Sequence, residues 1–152
     1  MKLFVNIRYL IVPAMSLITI SGILLGGIYA WTGVILFGIN TAIDTVTKDI
    51  HHRANFDSDG NSYGIKLFQY LVMYFMLPVF ILLQIVLAWR LFQYSSLTPI
   101  ETLTFLGINY QIGVSGLNLI GATLSAALWA GLGIIYGHEL SHNRKQGFLA
   151  SR

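Results

Sequence analysis

His138, Glu139 and His142 form an H-E-x-x-H sequence within Gly137-His138-Glu139-Leu140-Ser141-His142-Asn143-Arg144. Residues four apart share one face of an α-helix, so the two imidazoles can be offered to a single metal ion, while Glu139 lies about 100° round the helix from His138. Two chemistries use such a set. In a zinc peptidase the histidines hold the ion, the glutamate is the general base on its water, and a third protein ligand comes from elsewhere. In a membrane-bound oxygenase, histidine-rich boxes on several helices hold iron, which activates oxygen for attack on a hydrocarbon. The bland alternative is accident, since a histidine near a helix C-terminus also complements the helix dipole. Position argues for function: the motif starts where an uncharged run of 36 residues, Thr102 to Gly137, ends, and ionisable groups at the edge of a long apolar helix are costly to place. His51 and His52 are adjacent, face different directions on a helix, and read as a solvated loop pair.

The elements that must carry this motif are set by composition. Of 152 residues, 55% are hydrophobic and 10% charged, and the mean hydropathy is +0.69; a soluble domain carries roughly 25% charge. No charged residue occurs from Tyr9 to Ile43, from Leu67 to Trp89 or from Thr102 to Gly137. Each run is long enough for a membrane helix, which needs about 20 apolar residues. A cleavable signal peptide starting at Lys2 and Arg8 is excluded by length, because the apolar character persists to Asp44, beyond the roughly 7 to 15 residues of a signal core.

The sequence contains no cysteine, which removes disulfides, iron–sulfur clusters, thiolate zinc sites and cysteine nucleophiles and leaves nitrogen and oxygen as metal donors. The net charge of +3 comes from scattered residues with no basic run, so no nucleic-acid-tracking surface is expected.

These features predict an all-α integral membrane protein with about four transmembrane helices. The first uncharged run, with Gly22, Gly26, Gly27 and Gly33, reads as a helical hairpin: one helix over Leu3 to Leu25, a second over Trp31 to Thr47, with Tyr29 and Trp31 in the interfacial belt. Asp57 to Ser62 reads as a loop, followed by a helix over Ile65 to Phe92 and a break at Thr98-Pro99. With four crossings, Lys2, Arg8, Lys48, Arg53, Lys66, Arg144, Lys145 and Arg152 fall on one side and Arg90 alone on the other, which makes the N-terminus and the histidine motif cytoplasmic. A fifth crossing would reverse the side of the motif. The run from Thr102 is therefore read as an interfacial or re-entrant helix around Leu103 to Gly116, then a span over Leu117 to Gly137. Gly22-x-x-x-Gly26 and Gly133-x-x-x-Gly137 read as helix-packing sites, and Asn40, Asn109, Gln111 and Asn118 as hydrogen-bonding residues inside the bundle.

The segment Gly137-His-Glu-Leu-Ser-His142, followed by Asn143, Arg144 and Lys145, resembles the first histidine box of the alkane 1-monooxygenases and xylene monooxygenases, of the fatty acid desaturase-like superfamily. In the alkane hydroxylases that box reads much like H-E-L-G-H-K and ends the fourth membrane helix on the cytosolic side. Phe37-Gly38 followed by Asp44 loosely resembles the corresponding upstream segment. The likeness departs at Asn143, which precedes the basic residues, and in the longer stretch from Thr98 to Gly137. The family's iron cage draws on histidines from several boxes, whereas this chain has four histidines in all. The resemblance thus implies that residues 1–152 are the N-terminal transmembrane part of a longer enzyme, truncated and inactive alone. For the intact enzyme it implies non-haem diiron hydroxylation of alkane, other hydrocarbon or fatty acyl substrates arriving from the lipid bilayer, in a bacterial inner membrane. Electrons would come from a rubredoxin- or ferredoxin-like donor, His138 and His142 would bind iron, and Glu139 would orient a ligand or touch the metal. The alternatives are an intramembrane zinc metalloprotease on the same three residues, and a non-enzymatic membrane scaffold.

Overall fold

The computed structural model describes residues 10–54 and 66–142; at 44, 47–54, 66, 67, 69, 105 and 133–142 it describes the backbone alone. The described chain is mostly helical. Its order is α1 (Ile11–Leu25), a 3-10 turn (Gly27–Trp31), α2 (Thr32–Ala54), α3 (Lys66–Ser95), strands β1 (Glu101–Phe105) and β2 (Ile108–Ile112), and α4 (Gly116–His142). The Asp57–Ser62 loop and the predicted start of the first helix lie outside the described residues.

Pro13 sits in the first turn of α1, where a missing N–H costs nothing. The helix stops at Gly26, whose φ of 75° and ψ of −165° are open to glycine alone, and whose N–H donates to Gly22 O at 3.1 Å. Both glycines of the predicted Gly22/Gly26 pair sit at close approaches, a Cβ at Gly22 lying 2.5 Å from Tyr29 O and one at Gly26 2.5 Å from Arg90 Nη2, and Gly26 in addition ends the helix. The second helix starts one residue beyond the predicted Trp31 and continues past Thr47 to Ala54. His51 and His52 are therefore helical, not in a loop.

α3 buries a single narrow seam: Val72, Met76, Val79, Leu83, Val86, Arg90 and Gln93, at alternating spacings of four and three. Around that seam Leu71, Phe75, Leu77, Ile81, Leu82 and Ile85 are exposed. A soluble helix places polar residues there. Tyr70–Ser95, 26 residues with a mean hydropathy of 2.5, is the one helix among the described residues long and apolar enough to cross a membrane; at 1.5 Å per residue it extends about 39 Å. Three further apolar helical segments, Ile11–Leu25, Gly27–Ile43 and Gly116–Leu132, are shorter.

The seam of α3 packs on α1 and α4, and α2 packs on α4. Ile20, Ile23, Ala30, Met76, Leu83, Ala122, Ala126 and Trp129 form the core. Polar groups join α2 to α4. Ser125 Oγ donates to Ala30 O at 2.7 Å and accepts from Val34 N at 3.2 Å. Trp129 Nε1 donates to Gly33 O at 2.9 Å, and the Trp129 ring meets Phe37 edge-on at 6.3 Å.

The predicted interfacial helix over Leu103 to Gly116 is a two-stranded antiparallel hairpin instead, pairing Glu101 with Ile112 and Phe105 with Ile108. The β-branched and aromatic residues at Thr102, Thr104, Phe105, Ile108, Tyr110 and Ile112 suit a strand, and Gly107, with φ of 77°, closes a two-residue turn. The fold is therefore α-helical with one β-hairpin rather than all-α. Asn109 and Gln111 stand on that hairpin, Asn109 accepting from the Thr104 hydroxyl at 2.6 Å. Asn40 is exposed, and the Asn118 N–H donates to Ser115 Oγ at 3.3 Å at the start of α4, so these four do not form the bundle-internal set expected.

Candidate metal centre

His138, Glu139 and His142 lie in the last two turns of a helix that continues unbroken from Gly116. Their side chains, and those of His51 and His52, lie outside the described residues, but the helix backbone sets their phase. His138 follows Ile120, and His142 follows Leu124, by 18 residues, which at 3.6 residues per turn is five full turns. The pair thus shares a face with Ile120 and Leu124, 54% and 45% exposed. Gly131 has open space on this side of the helix. Glu139 is in phase with Gly121, which abuts the Trp31 indole closely enough that a Cβ would lie 2.6 Å from it.

Among the described residues no three His, Cys, Asp or Glu side chains come together. Two imidazoles one turn apart suit iron or zinc, and either ion requires more donors than the pair supplies.

The opposite end of the bundle holds a polar site that sequence reasoning treated only as a lone cation. Arg90 is 1% exposed. Its Nε donates to Ile23 O at 2.8 Å and its Nη2 to Leu24 O at 2.7 Å, occupying carbonyls that the end of α1 leaves without helical partners. Nη1 reaches Gln93 Oε1 at 2.8 Å, Gln111 O at 2.9 Å and Gly113 O at 3.2 Å. One guanidinium thus ties α1, α3 and β2 together, and its charge meets the negative end of the α1 dipole. The signal was present in the sequence as the first charge after 23 uncharged residues, though its partners are backbone oxygens that residue types do not reveal.

Compared with known proteins, the chain matches no family model, no curated protein and no solved structure.

Proposed function

We propose that this chain is the membrane-embedded part of a metal-dependent monooxygenase, similar to the alkane 1-monooxygenases and xylene monooxygenases. It would act on alkanes or other apolar hydrocarbon or fatty acyl substrates. The observation that carries the reading is that the backbone brings His138 and His142 one turn apart at the end of a continuous apolar helix. Iron held by His138 and His142 with further donors would supply oxygen activation, so that one oxygen atom would enter a C–H bond of the substrate and the other would leave as water, with two protons and two electrons from a rubredoxin- or ferredoxin-like donor.

In this reading His138 and His142 each hold the metal through a neutral ring nitrogen. The outer apolar face of α4, with Ile120 and Leu124, leads an apolar substrate from lipid towards the pair without passing through the bundle. Glu139 orients a metal-bound histidine or contacts the metal itself. Four crossings put the motif and eight basic residues on the cytoplasmic side. Burial of Arg90 supports that orientation, because it removes the one cation from the opposite surface.

The test is metal analysis of the detergent-purified full-length protein, wild type beside His138→Ala, His142→Ala and Glu139→Gln. Iron bound by the wild type and lost in both histidine variants supports the proposal, with Glu139→Gln lowering affinity about 10- to 100-fold as outer-shell partners do. Stoichiometric zinc in its place moves the assignment to a membrane zinc protease. Absence of any specifically bound metal overturns both.

A further inference from the structure

We infer that the β1–β2 hairpin is a re-entrant flap that dips into the bilayer beside α1, with a lipid acyl chain in the groove between them. This rests on the reading of the chain as membrane-embedded and goes beyond it. The hairpin is amphipathic by register. Leu103, Ile108, Tyr110 and Ile112 alternate onto one face, with Glu101 opposite Ile112 at its open end, and Thr102, Thr104, Asn109 and Gln111 onto the other. The polar residues Thr102, Asn109 and Gln111 line a small pocket of about 200 Å³ against Gly26–Tyr29. The apolar face looks onto an open groove of about 780 Å³ lined by Leu106, Ile108 and Tyr110 and, across from them, Ser21, Leu24 and Leu25 of α1.

The tip therefore folds back alongside the last turns of α1 instead of reaching away from the bundle. The groove runs into the exposed apolar flank of α1, where Leu17, Ile18 and Leu24 are each more than 40% exposed.

The tip residue argues for lipid. Leu106 has φ of 50° in a turn where both central residues have positive φ, a conformation that favours Asn-Gly and disfavours a leucine. It is also 86% exposed, so among the described residues little packing offsets the strain. Leu97 repeats the combination at the end of α3, with φ of 51° and 86% exposure, where Thr98 N donates to Gln93 O at 3.0 Å and Leu97 N to Tyr94 O at 3.1 Å. That pattern usually places glycine at the left-handed position. Strained backbone persists where something outside the local chain favours it, and two exposed leucines in such positions at one end of the bundle fit insertion into apolar solvent. Arg90 sits level with Leu24, so Leu97, seven residues further along α3, lies nearer the headgroups than Leu106.

Absence of native cysteine permits a direct test. Single cysteines at Leu106, Leu97, Thr104 and Ile81 are labelled with an environment-sensitive fluorophore in phosphatidylcholine vesicles containing nitroxides at headgroup or acyl-chain depth. The expected result is blue-shifted emission at position 106, quenched at least about twofold by acyl-chain nitroxide. Position 97 should be quenched more by the headgroup nitroxide, and Ile81 on the outer face of α3 by the acyl-chain probe. Leu106→Asn, which suits the turn, preserves the hairpin while moving a label at Ile108 towards water. Water-like emission at 106 with Ile81 quenched overturns the flap; water-like emission at both overturns the membrane reading beneath it. A dry label at 106 that no lipid nitroxide quenches assigns the tip to a protein partner and overturns the lipid assignment.

Discussion

Arg90 and the outer face of α4 are opposite solutions to placing polar chemistry in an apolar chain. Around Arg90 the charge is buried and its donors meet four backbone carbonyls and one side-chain amide from three elements. Along α4, Leu117, Ile120 and Leu124 face outward, and the helix backbone runs on to His138 and His142 in phase with the last two. The first arrangement is closed, so its ionic group holds structure. The second is open along its described length, and the proposed metal ligands stand at its end. The contrast teaches that an ionisable residue in such a chain is read by how its bonding is completed, and that its rarity alone does not mark a site.

Four substitutions test that contrast, in decreasing order of effect. Arg90→Met leaves the carbonyls of Ile23, Leu24, Gln111 and Gly113 unpaired, and should lower stability by about 3–5 kcal/mol, on the scale of breaking a buried charged network. Unfolding in mixed micelles reads this directly, and a loss below about 1 kcal/mol would show that the network is not closed. Gly26→Ala forces a side chain onto a glycine-only backbone with its Cβ 2.5 Å from Arg90 Nη2; overpacking and strain together should cost about 1–3 kcal/mol. Combining it with Arg90→Met should give less than the sum, because both act on one contact. At the α2–α4 joint, Ser125→Ala removes the bonds to Ala30 O and Val34 N and should cost about 1–2 kcal/mol. The smallest effect belongs to the open face: in metal-free protein His138→Ala should change stability by less than about 0.5 kcal/mol, as surface substitutions do. A loss comparable to that of Ser125→Ala would place His138 in the packed structure and break the comparison.

Much of the architecture was legible from local chemistry. Long uncharged runs place α1, α3 and α4, and Gly26 with Gly27 marks the turn that reverses the chain. The i, i+4 spacing of His138 and His142 required only that α4 reach them, and it does. The hairpin was misread because Thr102 to Ile112 is apolar and uncharged, as a buried helix can also be, and period-two alternation over so few residues competes poorly with that bulk signal. His51 and His52 were misplaced because helix boundaries carry weak local signals.

What the residues alone determined is the strongly apolar character of the chain and the helical phase of His138 and His142, since both follow from hydropathy and a 3.6-residue period. Tertiary structure decided which face of each helix is covered. It placed Arg90 on the backbone oxygens of α1 and β2 and Ser125 of α4 between Ala30 and Val34. Those outcomes depend on contacts between residues 21 to 95 apart in the chain, such as Arg90 with Ile23 and Ser125 with Val34, and no local propensity encodes which distant carbonyl or side chain will arrive.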